Sequence, residues 1–392
     1  MTPLAGLTVV SVEQAVAAPL ASRQLADLGA RVIKIERPGV GDFARQYDAT
    51  VRGMSSHFVW LNRSKESLTL DLKHPAGLNV LHRLLGRADV FLHNLAPGAM
   101  GRLGFGRESV RQAYPRLIGC EISGYGSQGS FRNKKAYDLL VQSEAGLLSI
   151  TGTPDTPSKA GIPVADIAAG MYAFSGILAA LFARERTGAG AVIEVSLFDA
   201  LAEWMGYPMY YTEYGGSMPP RSGAHHAAIA PYGPYPAAEG RTVYLAIQNE
   251  REWQRFCSGV LRNPALATDP RFAANPDRVA HRAELDAAIA DTFAALAADE
   301  IVARLDANDI ASARMNTVTE VLLHSQLESR GRWHTVESPV GLLRALQPPI
   351  TIEGADAVFG PIPGVGQHTD AILQELGFSG TTVAAWRQDG VI

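Results

Sequence analysis

One carboxylate stands where it could act as a nucleophile. Asp166 directly precedes a long, largely apolar run, Ile167–Ala183, which predicts a buried helix. Unpaired N–H groups and the helix dipole stabilise an anion at such a helix start. We therefore expect Asp166 to stay ionised even in a water-poor pocket, as covalent catalysis by a carboxylate requires. Aspartate is also a preferred N-cap residue, so a purely structural cap is the alternative on this local pattern.

Length and composition indicate a globular, enzyme-like protein. A chain of 392 residues exceeds one ordinary hydrophobic core, so two domains are expected. A net charge of -4 and a pI near 6.2 argue against a general nucleic-acid or membrane-surface partner. All lysines lie within the first 160 residues. This bias fits either a phosphate-rich ligand in the N-terminal half or a coding preference for arginine.

The cysteines and the N-terminus predict a cytoplasmic protein. Only Cys120 and Cys257 occur, which allows no disulfide framework and no cysteine-based zinc site. A reducing compartment is then the default. The first residues lack the basic and apolar regions of a signal peptide. At 17 residues, Ile167–Ala183 is at the short limit for a membrane span, which favours a core helix.

Strands alternate with helices in the first half of the chain, which predicts an α/β protein with a parallel sheet. In such sheets ligands bind beyond the carboxyl ends of the strands, so the loops Glu13–Ala18, Glu36–Gly41 and Asn94–Gly98 should cluster. The predicted strands are Leu7–Glu13, Ala30–Glu36, Ser67–Leu72, Asp89–Asn94, Leu117–Ser123 and Ala191–Leu197, and the intervening helices include Pro19–Leu28 and Pro75–Arg87.

A different pattern follows the long apolar helix. Phe198–Tyr211 predicts a helix, and Tyr214–Gly240 is rich in Gly, Pro, Tyr and His, as in a linker or active-site loop. Val243–Ile247 predicts a strand, and Glu252–Ala307 is mostly helical outside a proline-containing stretch. These segments predict a second domain. The chain is expected to end in a helix, Thr369–Leu376.

Short motifs along nearly the whole chain resemble the family III CoA-transferases, also called the formyl-CoA transferase and carnitine CoA-transferase family. Each motif is weak, but their order and spacing are specific. They include Asp27-Leu28-Gly29-Ala30, Val32-Ile33-Lys34-Ile35-Glu36, Asn94-Leu95-Ala96-Pro97-Gly98, Ser123-Gly124-Tyr125-Gly126, Asp166 with Gly170, Arg184-Glu185-Arg186-Thr187-Gly188 and Gly366-Gln367-His368-Thr369.

The resemblance implies an interlocked homodimer of two-domain chains. A large Rossmann-like CoA-binding domain would take residues 1–215 and, after a return linker, the C-terminal helix within 336–392. Residues 216–335 would form a linker and a smaller, mostly helical α+β domain. The substrates would be coenzyme A thioesters and a small carboxylic acid, with no permanently bound cofactor and no metal.

The resemblance also implies the site residues. The aspartate nucleophile falls on Asp166. The CoA contacts fall on Val16, Ala17, Ala18, Arg37, Asn94, Leu95, Arg102, Lys135 and Tyr137. Cationic side chains among them suit the 3′-phosphate and pyrophosphate of CoA. Many relatives carry an arginine where this chain has Ala96, and Arg221–Tyr235 lacks the glycine run of formyl-CoA transferase, which argues against formyl–oxalyl exchange.

Three functions remain at this point. Racemases of 2-methylacyl-CoA esters share the fold but use a histidine where this chain has Tyr137, and tyrosine is a poor base at neutral pH. The favoured function is therefore CoA transfer, from succinyl-CoA to a C4–C5 dicarboxylate such as itaconate, mesaconate or citramalate. A catalytically silent CoA-binding protein is the third possibility. The acceptor carboxylate would be held by residues among Arg52, Arg221, His225 and His226.

Overall fold

A parallel sheet of six strands forms the framework of the larger unit in the computed structural model, which describes residues 2–392. Its order is β3-β2-β1-β4-β5-β6, so the chain reverses direction across the sheet between β1 and β4. The strands are β1 (Thr8–Val12), β2 (Arg31–Glu36), β3 (Lys65–Thr69), β4 (Val90–His93), β5 (Ile118–Ser123) and β6 (Val192–Ser196). The predicted α/β class and parallel sheet are confirmed.

Helices connect these strands and cover the sheet. One core packs strand residues such as Ile33 and Phe91 against Leu81 and Leu84 of α3. The connecting helices are α1 (Ala17–Asp27), α2 (Ser56–Leu61), α3 (Pro75–Leu85), α4 (Ala99–Arg102), α5 (Arg107–Ala113) and α6 (Asp138–Glu144). After α7 (Leu147–Ile150) come α8 (Val164–Thr187) and α9 (Leu197–Trp204). The apolar run therefore forms a helix longer than its predicted core.

Helix α8 passes the length and composition test for a membrane span, but half of its most apolar window is buried inside the protein. It packs on α1 through Gly170, where an added Cβ would lie 2.7 Å from the carbonyl oxygen of Ala17. Only glycine permits this approach of the two backbones. The helix ends at Gly188, whose φ of 72° suits glycine at a helix C-terminus.

Two compact units divide the chain: residues 2–145, 160–206 and 328–392 form the larger one, and 146–159 with 207–327 the smaller. The smaller unit holds an antiparallel sheet of order β7-β8-β9 and a core around Trp253, Phe256 and Phe293. Its further elements are α10 (Gly206–Gly215), β7 (Tyr232–Pro236), β8 (Thr242–Ala246), α11 (Glu250–Arg255), α12 (Asn275–Ala280), α13 (Arg282–Phe293), α14 (Ala298–Ala307), β9 (Ala311–Arg314), α15 (Val318–Leu322) and α16 (Ser325–Glu328).

The last segment returns to the larger unit. It contains the hairpin β10 (Trp333–Val336) and β11 (Leu343–Leu346), then α17 (Thr369–Glu375) and α18 (Gly380–Gln388). At the edge strand β3, the Ser67 N–H donates to His368 Nδ1 (3.1 Å) and the Thr69 N–H to Thr369 Oγ1 (3.0 Å). Residues from both ends of the chain therefore build the larger unit, and residues near the C-terminus cover the β3 edge of its sheet.

Several predicted elements differ from the structure. The helix predicted at Phe198–Tyr211 is two helices, interrupted at Met205. The prediction that the chain ends with the helix Thr369–Leu376 was wrong, because α18 follows it. Strand β7 lies inside the region predicted to be a loop, and the β10–β11 hairpin was not predicted.

Candidate active site

A cavity of about 1220 Å³ opens at the carboxyl edge of the parallel sheet. The three loops that follow β1, β2 and β4 all line it, as the parallel-strand pattern predicted. Two of them are joined by reciprocal bonds: the Gln14 N–H donates to Asn94 Oδ1, and Asn94 Nδ2 donates to the Gln14 carbonyl, both at 2.8 Å. These two bonds hold the loops after β1 and β4 together at the cavity wall.

Asp166 lies on the wall of this cavity, half-buried, as the third residue of α8. It does not cap the helix. Pro163 precedes the first turn, and the cap is Asp138 of α6, whose Oδ1 accepts the N–H groups of Ala165 (2.8 Å) and Asp166 (3.3 Å). The structural-cap alternative for Asp166 is therefore wrong.

The ionisation expected of Asp166 is also corrected. Burial, and then the neighbouring carboxylate of Asp138, raise its pKa from 3.8 to about 7. The N–H groups that were expected to stabilise its charge bond to Asp138 instead. Asp166 is consequently close to half-protonated at neutral pH, within the range in which catalytic acids and bases are found.

This environment predicts an acid limb in the pH–rate profile. If ionised Asp166 is required, kcat/KM should rise with pH through about 7 and level off above it. Asp138→Asn removes the like charge but keeps an oxygen for the two helix N–H groups. In the Asp138→Asn variant, the midpoint of the acid limb should move below pH 7. It should not reach 3.8, because burial, which is the larger cause of the raised pKa of Asp166, remains. Initial rates from pH 4.5 to 9 measure both limbs.

Asp138→Asn has one structural cost. Gln142 Nε2 donates to the second oxygen of Asp138 at 2.6 Å and would face an amide, which costs about 1–3 kcal/mol of the free energy of unfolding. Rates should therefore be compared at a temperature where both proteins are folded. An acid limb in the same place for both proteins would show that Asp138 does not set the ionisation of the active group.

The residues predicted to contact CoA mostly line the same cavity. Val16, Ala17, Arg37, Asn94, Leu95, Arg102, Lys135 and Tyr137 do so, whereas Ala18 is fully buried and is not part of the wall. Within the adjacent lysine pair, Lys134 is paired with Glu144 at 2.7 Å and lies 4.2 Å from the Phe131 ring. Lys135 has no such partner among residues 2–392, which leaves it available to an anion.

Arg52, the residue of the larger unit that was predicted to bind the acceptor, does not line this cavity. Arg52 donates to the carbonyls of Val340 and Leu342. In the smaller unit, Arg221 donates to three carbonyls, those of Ser149, Thr153 and Pro154. The His226 ring stacks on Tyr232 at 5.2 Å, and the His225 ring packs against Tyr235. These contacts give each residue a structural role, and acceptor binding by them stays a prediction.

Further side chains that were not predicted also line the cavity, and Lys73, Tyr47 and His57 are among them. Lys73 follows β3 and is exposed, and Tyr47 and His57 pack edge to face with ring centroids 5.3 Å apart. His57 Nδ1 lies 3.8 Å from Asp48 Oδ2. The loop after β3, as a fourth loop at the carboxyl ends of the strands, could have identified Lys73, but nothing in the sequence links residues 47 and 57 to Asp166. Among residues 2–392, no group of three or more His, Cys, Asp or Glu side chains is arranged to hold a metal.

Comparison with known proteins assigns this fold and cavity to a family. The chain matches CoA-transferase family III over residues 4–369 and belongs to that family, which confirms the resemblance seen in its motifs. The protein is thus a CoA-transferase by family.

Individual relatives align over most of the chain. A succinate–glutarate CoA-transferase of Agrobacterium fabrum (strain C58) is 33% identical over 384 residues, covering 95% of this chain and 96% of the relative. An acetyl-CoA:oxalate CoA-transferase of Acetobacter aceti is 38% identical over 289 residues, 73% of this chain and 74% of the relative. A crystal structure of a CAIB/BAIF family protein from Brucella suis matches with a TM-score of 0.84 and 33% identity, covering 96% of this chain and 99% of that one.

Proposed function

We propose that the protein transfers CoA from succinyl-CoA to a C4–C5 dicarboxylate, with Asp166 as the covalent nucleophile. The observation that carries this proposal is the half-buried Asp166 carboxylate, with a pKa raised to about 7, on the wall of a cavity that also presents Arg37, Arg102 and Lys135. The Agrobacterium relative, named for succinate and glutarate, supports the dicarboxylate class. The Acetobacter relative makes oxalate the first competing acceptor to test.

The exchange can proceed through Asp166 in balanced steps. A carboxylate oxygen of Asp166 attacks the thioester carbonyl, the C–S bond breaks, and CoA thiolate leaves behind a mixed anhydride. The thiolate then attacks the Asp166 carbonyl of that anhydride, which releases succinate and forms an aspartyl-CoA thioester. The acceptor carboxylate displaces the thiolate to give a second anhydride. Attack of the thiolate on the acceptor's acyl carbon yields the new CoA ester and restores Asp166.

The raised pKa of Asp166 fits this sequence of steps. Burial that makes the ionised carboxylate costly in the free enzyme also lowers the relative cost of converting it to a neutral anhydride or thioester. The charge is then carried by the departing carboxylate or thiolate, which can leave toward the open cavity. The position at the head of α8 fixes the carboxylate on a rigid element.

We propose that the CoA nucleotide is held by the cationic side chains of the cavity wall. Arg102 donates to the Pro97 carbonyl at 3.3 Å, and Arg37 contacts Gln14, so both are oriented by weak neutral partners. Exposed Lys73 and Lys135 add flexible point charges. Phosphate oxygens are stronger acceptors for such groups than a carbonyl or an amide.

For the acceptor, we propose that His57 and Tyr47 contribute hydrogen-bond donors beside Asp166. Both line the cavity, and burial, followed by the negative charges of Asp42 and Asp166, raises the pKa of Tyr47 to about 12. A phenol kept protonated is a donor at neutral pH. Arg52, Arg221, His225 and His226 remain the alternatives.

An acceptor panel tests this function. With succinyl-CoA as donor, glutarate, itaconate, mesaconate and citramalate should each be converted to a CoA ester faster than acetate, butyrate or oxalate. The expected preference over monocarboxylates is roughly tenfold to a hundredfold, since a charge-assisted hydrogen bond contributes about 1.5–3 kcal/mol. Chromatography with mass detection identifies the esters. Preference for oxalate or a monocarboxylate would show the acceptor class to be wrong.

A deuterium-exchange assay, together with the acceptor panel, distinguishes CoA transfer from the two alternative functions. In deuterium oxide, a chiral 2-methylacyl-CoA should gain no label at Cα, because Tyr137 stands where a racemase has its histidine base. Rapid enzyme-dependent labelling would favour the racemase. Tight CoA binding without any new ester across the panel would favour the silent CoA-binding protein.

We also propose that the protein is a homodimer. Helix α8 is apolar along its length yet exposes Met171, Tyr172 and Phe182 by 39%, 38% and 61%, and Trp204 of α9 is 50% exposed. Large exposed apolar side chains on these two neighbouring helices support an interaction surface. Light scattering should give twice the chain mass of 41.9 kDa. A mass of one chain at micromolar concentration would refute the dimer.

A reducing, cytoplasmic setting completes the proposal. Cys120 and Cys257 are both buried and unpaired, and burial raises the pKa of each thiol to about 12. Such thiols are unreactive structural groups, so the fold has no need of an oxidising compartment.

A further inference from the structure

Four charged side chains are fully buried together beneath the loop that follows β1. Glu13 Oε1 lies 2.7 Å from Lys65 Nζ and 3.3 Å from Lys34 Nζ, and Lys34 Nζ lies 2.8 Å from Asp42 Oδ2. Ser22 Oγ donates to Glu13 Oε2 at 2.6 Å. We name Glu13, Lys34, Asp42 and Lys65 the buried charge cluster. It connects the end of β1, and strands β2 and β3, to the loop after β2.

Stability alone does not explain the buried charge cluster. Burial would raise the pKa of Glu13, but Lys65 and Lys34 outweigh it and hold that pKa at about 2, while burial lowers the pKa of Lys65 to about 8. Both groups are thus charged at neutral pH and have lost their hydration. Replacing buried ion pairs by apolar residues is often neutral or stabilising, so such pairs are better explained by the geometry that they impose.

The geometry that this cluster imposes is that of the loop. Asp42 Oδ1 accepts the N–H groups of Ala15 (3.1 Å) and Ala44 (2.9 Å), while its other oxygen faces Lys34. Ala15 has a φ of 63°, a left-handed conformation that is unfavourable for alanine and needs an external anchor. Asp42 supplies this anchor, and the lysines hold Asp42 and Glu13 in place.

The anchored loop is connected through α1 to α8, the helix that carries Asp166. It continues into α1, whose Ala17 carbonyl lies so close to Gly170 of α8 that an added Cβ would be 2.7 Å from it. Gly170 is one helical turn beyond Asp166, on the same face. Val16 and Ala17 also line the cavity. A displacement of the loop would therefore change the distance between a bound thioester and the Asp166 carboxylate.

We infer that Glu13 is a positioning residue for the transfer reaction, acting through the buried charge cluster on the loop Gln14–Ala17. The inference rests on the proposed covalent function of Asp166. Reaction rates depend steeply on such alignment: a misplacement of about 1 Å can cost on the order of a hundredfold. Glu13 itself touches no substrate, because its side chain is fully buried.

The test removes the Glu13–Lys65 ion pair, and with it the longer Glu13–Lys34 contact, without changing the net charge. In Glu13→Gln/Lys65→Met, Lys34 keeps Asp42 as a partner. The readout is the exchange of labelled free CoA into succinyl-CoA, which needs the first anhydride but no acceptor. We expect kcat for this exchange to fall about tenfold or more, with KM changed less than about threefold and Tm close to wild type. A kcat within twofold of wild type would overturn the inference.

A second buried ion pair provides the matched control. Arg63 Nε and Nη2 donate to the two oxygens of Asp27, both at 2.8 Å, at the far end of α1 and away from the cavity wall. Asp27→Asn/Arg63→Met is the same kind of change and should leave kcat of the folded protein unaltered. A similar loss of kcat in this control would assign the effect to general loosening and overturn the inference.

A milder variant keeps the test decisive if the double variant does not fold. Ser22→Ala removes only the hydroxyl that donates to Glu13 and should lower kcat severalfold at nearly unchanged Tm. An unchanged kcat would count against Glu13. Failure of the proposed function is separate: wild-type protein would then exchange no label at all, whereas a failed positioning role leaves wild type and variants exchanging alike.

Discussion

Replacing Asp166 by asparagine is expected to lower the rate of CoA transfer by more than about a thousandfold, because the amide cannot form the anhydride. Asparagine has nearly the same shape, and the two N–H groups at the helix start bond to Asp138 rather than to residue 166. The helix should therefore form normally. CoA binding, measured by calorimetry, should change little, because Arg37, Arg102 and Lys135 are untouched.

Stability gives this variant a second signature. The pKa of Asp166 is raised, so its ionisation disfavours the folded state: the penalty is absent below 3.8, grows as pH rises, and is complete above about 7. Asp166→Asn removes it. At pH 8 the Tm of the variant should equal or exceed that of wild type, and at pH 4 the difference should vanish. A stable variant that turns over near the wild-type rate would refute covalent catalysis by Asp166.

Arg37→Ala should raise KM for CoA esters roughly ten- to a hundredfold with a smaller effect on kcat. A charge-assisted hydrogen bond contributes about 1.5–3 kcal/mol, and a contact with the nucleotide binds ground and transition states nearly alike. Arg37 lines the cavity, and its one hydrogen-bonding partner among residues 2–392 is Gln14 at 3.3 Å. Most of its guanidinium donors are therefore free for a phosphate.

Substrate truncation sharpens this test. Acyl-pantetheine substrates lack the nucleotide and should be handled alike by wild type and Arg37→Ala. Arg111→Ala is the matched control, since Arg111 is 69% exposed on α5 and pairs only loosely with Glu108 at 3.7 Å. Equal effects of Arg37→Ala on both substrate types, or none on either, would place the nucleotide elsewhere.

The sequence predicted the elements whose signal is local. All six strands of the parallel sheet were located to within three residues at each end, because β-branched runs bounded by turns are strong signals. Strand β7 was missed because Tyr232–Pro236 contains two prolines and a glycine. It is an edge strand, where proline is tolerated. Helix α18 was missed because Thr381, Thr382 and Val383 have weak helix propensity, and packing of Val383 into the core compensates.

The sequence predicted those residues of the candidate site that directly follow strands of the parallel sheet. The loops after β1, β2 and β4 were placed correctly because parallel strands align their carboxyl ends. The cap at α8 was not predictable, since Asp138 reaches Ala165 across 27 positions of sequence. The ionisation of Asp166 was mispredicted because burial raises its pKa and because the helix N–H groups bond to Asp138 instead. A local pattern shows a helix start, but only the packed structure shows which carboxylate takes its N–H groups.

Because the β3 edge of the sheet bonds to residues near the C-terminus, that edge can be completed only at the end of translation. Strand β3 exits the ribosome early, yet its edge is completed by His368 and Thr369, and Asp71 also donates to the Val391 carbonyl at 2.7 Å. Translation adds about 5–20 residues per second, so roughly 190 residues after Gly206 take on the order of ten to forty seconds. Throughout that interval the nascent sheet presents an unpaired, aggregation-prone edge. Residues 207–327, which hold a core of their own, are synthesised during this interval, before the β3 edge is covered.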